Sequence, residues 1–127
     1  MKKTTLLALV FSVMFTSPSF ADWQKMARST DGDIMYVDFE RIRKHEGFVY
    51  FWVLTDFLKP DKYGDLSTKT YYQGDCKLFR SKDLSFITFK ESMGGGTEGD
   101  PYTPPDKWNY PSPNSASEII MKAVCSR

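Results

Sequence analysis

Residues 48–57, FVYFWVLTDF, are apolar on both faces of an extended chain, and nothing else in the sequence constrains the fold as much. One face carries Phe48, Tyr50, Trp52 and Leu54; the other carries Val49, Phe51, Val53 and Thr55. Side chains alternate across a strand, so a run with no wet face belongs inside a sheet, with material packed against each side. The run therefore predicts a central strand. Aromatic residues make up 16% of the chain, which suits a pleated, half-buried surface of this kind.

Shorter extended segments surround it. Residues 23–28 and 34–38 (IMYVD) flank the turn cluster Thr30-Asp31-Gly32-Asp33, and two short runs joined through Asp-Gly read as a hairpin. Residues 39–43 fit either an edge strand or a short helical turn, and 44–47 (KHEG) reads as the next turn. Residues 58–66 contain Pro60, Asp61, Gly64 and Asp65 and read as a loop. Residues 68–80 look extended, with Gly74 as a bulge or bend, and 84–91 (LSFITFKE) makes a further strand.

Residues 93–114 differ in kind. Gly94, Gly95 and Gly96 precede Pro101, Pro104, Pro105, Pro111 and Pro113, and proline cannot donate to a ladder, so no central strand lies here. An irregular stretch of about 20 residues in a small domain is commonly functional or mobile. Ser115 followed three residues later by Glu118 fits a capping box, and Ala116, Ile119, Ile120, Ala123 and Val124 then mark one apolar helical stripe that should lie on the sheet. Cys125 falls off the centre of that stripe. Either the last turn frays, or the buried face is broader and includes Met121.

The start of the chain reads as an export signal. Lys2 and Lys3, the apolar run 6–15, and the small residues of Ser19-Phe20-Ala21 predict cleavage after Ala21, leaving one domain over 22–127. The apolar run is about half the roughly 20 residues that a membrane span requires, so no integral membrane segment is expected after processing. No cysteine lies near the cleavage point for lipid attachment, and the expected location is the periplasm or the secreted or cell-surface space. In an oxidising compartment Cys76 and Cys125, the only two cysteines, are expected to pair. Losing Lys2 and Lys3 from 17 basic residues against 16 acidic ones leaves a net charge of −1, so no nucleic-acid partner recognised by bulk charge is expected.

Residues suited to catalysis are scarce. The single histidine, His45, sits in a charged turn without a nucleophile beside it. The pairs Asp31/Asp33 and Asp61/Asp65 lie in turns, where aspartate is favoured for local hydrogen bonding. Gly94-Gly95-Gly96 is followed by no Lys-Ser/Thr and no helix start, unlike a phosphate cradle. With both cysteines committed to each other, no metal and no cofactor are expected. The best binding candidate is 102–110, YTPPDKWNY: Tyr102, Lys107, Trp108 and Tyr110 offer aromatic contact area among prolines. The structural alternative is that Trp108 and Tyr110 fill the space under the helix.

The order of Trp23, Tyr36-Val37-Asp38, Phe51-Trp52-Val53, Ser67, Asp75-Cys76, Met93-Gly94-Gly95-Gly96, Trp108, the cap at 113–115 and Val124-Cys125 resembles the surface-adhesin protein E family of Gram-negative bacteria. The resemblance spans the mature chain. It implies an α+β fold: a curved antiparallel sheet of about six strands, with a C-terminal helix on its concave face tied by Cys76–Cys125. It also implies a binding role, since the family takes its name from a surface protein that attaches to host extracellular-matrix and serum proteins; the partner expected here is a protein of host extracellular matrix or of the cell envelope. An inhibitor of a cell-wall-degrading enzyme such as lysozyme is the alternative, with 60–65 as its blocking loop. One helix covers only one face of a sheet, so residues on the other must meet curvature, loops or another subunit, and a homodimer is one expectation.

Overall fold

In the computed structural model, which describes residues 21–127, the doubly apolar run forms a strand with neighbours along both of its edges. The expected leader lies outside the described residues except for Ala21. The strands are β1 (Trp23–Arg28), β2 (Ile34–Asp38), β3 (Arg43–His45), β4 (Phe48–Asp56), β5 (Ser67–Asp75) and β6 (Arg80–Phe89). They form one open antiparallel sheet in the order β1-β2-β4-β5-β6, and β3 pairs with β4 beyond the end of β2. The helix α1 (Ala116–Cys125) packs on the concave face.

Local chemistry explains most boundaries. The β1–β2 turn closes through Gly32 at φ +92°, and the Ser29 hydroxyl accepts the Asp33 amide. Residues 39–43 resolve into a single 3-10 turn, Phe39–Arg41, capped by the Asp38 carboxylate, before β3 begins. The expected turn at 44–47 is shorter than its composition suggested. Arg43–His45 is already strand, and only Glu46 (φ +51°) and Gly47 (φ +84°) turn the chain into β4. Such a two-residue loop, with both residues at positive φ, matches the twist of the strands it joins.

Two expectations for 68–91 are corrected. Residues 68–80 are not one strand: the chain reverses after Asp75 and returns as β6, which starts at Arg80 and not at Leu84. No glycine marks this turn. The Asp75 carboxylate builds it by accepting the amides of Lys77 and Leu78, with Phe79 in the left-handed region. Gly74 is no bulge, since it pairs in register with Val49 and Ser81. It is glycine because a Cβ there would stand 2.8 Å from Val49 Cγ2 and 3.2 Å from Phe51 Cε1. The bulge lies on β6 instead, where Leu84 is the extra residue between the partners of Tyr71 and Tyr72.

Alternation along β4 divides the molecule. Val49, Phe51 and Val53 face α1 and join Val37, Ile120, Met121 and Val124 in the core. Ile120, Met121 and Val124 are buried while Ile119 is 44% exposed, so the helix is turned from the expected stripe toward Met121. That rotation carries Cys125 to the sheet, where it bonds Cys76 across 5.6 Å between Cα atoms. At the N-terminus the Ser115 hydroxyl accepts the Glu118 amide, and the Glu118 carboxylate reaches back to the amide of Asn114.

The proline-rich segment follows the sheet. It runs antiparallel to β6 and pairs with it at Glu98, Tyr102 and Asn109, opposite Phe89, Phe86 and Ser81. Tyr102 and Asn109 each exchange two backbone hydrogen bonds with their partners. The prolines between them leave the outer side without a continuous row of donors, which shields the edge from further strand pairing.

Candidate functional site

On the convex face, Phe48, Tyr50, Trp52 and Leu54 alternate away from the helix and meet Tyr71, Lys69 and Gln73 of β5. The polar groups nearby fix the frame of this surface. Asp38, only 2% exposed, accepts the amides of Asp22 and Glu40 and lies 3.2 Å from Arg41 Nε. Ser67, fully buried, donates to the Glu91 carbonyl and accepts the Gly94 amide, while Asp56 takes the Met93 amide. These bonds hold the glycine loop over Leu54 and Lys69 and engage the Met93 and Gly94 amides.

The rings stack in two groups along this face. Trp52 and Tyr71 lie 4.8 Å apart, Tyr50 and Tyr71 6.2 Å, and Trp108 stacks on Phe48 at 5.9 Å. Lys69 Nζ lies 5.0 Å from the Phe89 ring centre and 5.7 Å from that of Trp23. All but Phe89 are only half-buried, so aromatic surface remains in contact with solvent.

Trp108 is therefore not under the helix. The structural alternative for Trp108 is overturned, because pairing of Asn109 with Ser81 carries the chain past the outer edge of β6 and onto the convex side. Arg80 Cζ stands 4.2 Å from the Trp108 ring centre and Lys82 Nζ 4.6 Å, so two cations meet one indole. Lys82 also pairs with Asp106 at 2.7 Å. Arg80 donates to the buried Asp75 carboxylate at 2.9 Å. Burial pushes the Asp75 carboxyl up, but hydrogen bonds from Arg80 and from the Leu78 and Lys77 amides outweigh it and hold the group below the usual carboxylate range.

Of the four residues expected in the binding loop, Trp108 and Tyr110 gather around Arg80, whose guanidinium the Tyr110 hydroxyl also meets. Tyr110 is 64% exposed, and Lys107 projects beside Trp108 into solvent. Tyr102 sits farther along β6, opposite Phe86, and does not join them. Sequence reasoning missed Arg80 and Lys82. Their i, i+2 spacing puts both on one face of a strand, but the turn at 76–79 had to be recognised first.

His45 is exposed and its ring lies 3.4 Å from the Glu46 carboxylate. Asp61 accepts the amides of Tyr63 and Asp65, and Asp65 pairs with Lys90 at 2.9 Å, so this carboxylate pair is engaged in holding its own loop. Among the described residues no cluster of three or more His, Cys, Asp or Glu side chains is placed to hold a metal ion. No helix among them is long and apolar enough to cross a membrane.

Comparison with known proteins supplies the lineage. No curated protein matches the chain in sequence. In structure it is similar to protein E of Haemophilus influenzae: crystal form II superposes with a TM-score of 0.65 at 13% identity, covering 92% of this chain and 97% of that one. The selenomethionine form gives 0.66 at 14% identity, covering 91% and 94%. Protein E from non-typeable Haemophilus influenzae gives 0.60 at 13% identity, covering 91% and 83%. At such identities the likeness shows the fold. The model of the surface-adhesin protein E family matches residues 23–126, a span that holds the whole of the sheet and helix described above, and the chain belongs to that family of surface adhesins.

Proposed function

We propose that this chain is an exported binding protein, cleaved after Ala21, which attaches to another protein through its convex aromatic face and acts without catalysis. The partner is a protein of host extracellular matrix or of the cell envelope, met from the periplasm or from the cell surface without a lipid anchor. The observation that carries this reading is Trp108, held half-open between Arg80 and Lys82 on a face of solvent-contacting rings. Tryptophan, tyrosine and arginine dominate protein-binding hot spots because they offer large, rigid contact area with a polar handle. Lys107 and Tyr110 supply the polar rim of the patch, and Tyr102 extends it along β6.

The test is retention of the mature protein on immobilised matrix proteins and on envelope proteins, with Trp108→Ala and Tyr110→Ala in parallel. Loss of retention in both variants, with folding unchanged by circular dichroism, supports the reading. Retention that survives both substitutions places the contact elsewhere. Inhibition of lysozyme by the same preparation points instead to the cell-wall-enzyme inhibitor.

A further inference from the structure

On the opposite, concave face the helix does not fill the sheet, and a groove remains beside it. Its floor is Phe51, Val53 and Tyr72, and its helix wall is Ile120 and Met121 with Ser117 at the rim. Tyr72 stacks on Phe51 at 5.4 Å. Asp83 is the cross-strand partner of Tyr72, and Ser81, two residues before it on β6, also lines the groove, so pleating puts the Asp83 carboxylate on the same side of the sheet.

Asp83 differs from the other half-buried or buried carboxylates. Asp38, Asp65, Asp75 and Glu118 each have a cationic partner, and Asp33, Asp56 and Asp61 each accept a backbone amide. Among the described residues Asp83 has no ion pair and no side-chain hydrogen bond. Burial alone pushes its carboxyl up, and its charge helps burial push the Tyr72 hydroxyl up to about 12. A partly desolvated carboxylate without a counter-ion costs stability, and such a group beside a groove is a candidate to meet a ligand's cation.

We propose that this groove receives an arginine side chain of a protein partner, its methylene stem against Phe51, Val53 and Ile120 and its guanidinium between the Tyr72 ring and Asp83. Arginine fits better than lysine, because a planar guanidinium both stacks on aromatic rings and forks onto a carboxylate. The proposal rests on protein recognition as the role of the chain, but it uses the face opposite Trp108 and is read independently of matrix retention.

The experiment is an NMR titration of the isotope-labelled mature protein with N-acetyl-arginine methylamide, with the uncharged citrulline analogue as control. Saturable shifts at Thr70, Tyr72, Asp83 and Ile120, absent with citrulline, are expected. Asp83→Asn should weaken binding about tenfold, the order of one charge-assisted hydrogen bond. Ser117→Arg, at an exposed rim position, should block the groove without touching the core and keeps the test open if Asp83→Asn misfolds. Equal binding of the citrulline analogue, shifts confined to Trp23, Trp52 and Trp108, or indifference to both substitutions would each overturn the proposal. Arginine binding here alongside failed matrix retention would leave the groove assignment intact and sink only the convex-face reading.

Discussion

The two faces of this sheet use similar residues to opposite ends. On the concave side Val49, Phe51 and Val53 are closed off by a helix that is itself fastened by Cys76–Cys125. On the convex side Phe48 stacks on Trp108, and Tyr50 and Trp52 stack on Tyr71, and all of them stay half-open. Burial on the first face stabilises the fold. Stacking on the second fixes ring positions while leaving part of each ring in contact with solvent.

The comparison can be broken from the closed side first. Replacing Cys76 and Cys125 together by serine should lower unfolding free energy by about 4 kcal/mol in the chain-entropy account, because the bridge closes a 49-residue separation. Chemical denaturation of oxidised and variant protein measures it. A change under about 1 kcal/mol would mean that helix packing alone holds the concave face. Next, Gly74→Val should cost about 1–3 kcal/mol by overpacking, since even its Cβ collides with Val49 and Phe51. A neutral effect in the same assay would show that the core yields there.

Two smaller effects probe the open side. The Asp22 amide lies 3.2 Å from the buried Asp38 carboxylate, so cleavage after Ala21 would convert a neutral donor into an ammonium ion at that carboxylate. A chain beginning at Asp22 should exceed its N-acetylated form in stability by about 1 kcal/mol. Equal melting temperatures would argue against that terminus. Trp108→Ala should cost least in stability, under about 1 kcal/mol, because its ring is half-exposed and rests on one aromatic neighbour. A larger loss of stability would mean that the two cations over the indole hold the fold as well.

pH offers a sharper view of the concave floor. The Tyr72 hydroxyl is raised from 10.0 to about 12 in the fold, so the stability it contributes is complete below pH 10 and is lost as pH rises toward 12. Ultraviolet titration should find one of the seven tyrosines ionising late, with loss of structure over the same interval. Seven uniform transitions near 10 would remove the desolvated groove floor.

Much of this was legible from one dimension. The alternation in 48–57 placed β4 at the centre, Thr30 to Asp33 marked the first hairpin, and Ser115 with Glu118 located the helix start. What stayed hidden has a common cause. The turn after Asp75 lacks glycine and proline and is built by one carboxylate, so no compositional signal announces it. The helix rotation toward Met121 depends on where Cys76 stands, a position set by that same turn.

By itself, then, the sequence determined which residues alternate, where one helix begins, and that a single pair of thiols was available. Only the tertiary structure decided which side of the sheet each loop takes. Local propensity fixes strand and cap because those depend on neighbours a few residues away. Placing Trp108 over Arg80 depends on segments 28 residues apart in the chain meeting at β6, and such pairing is settled by packing and register, which no local pattern encodes.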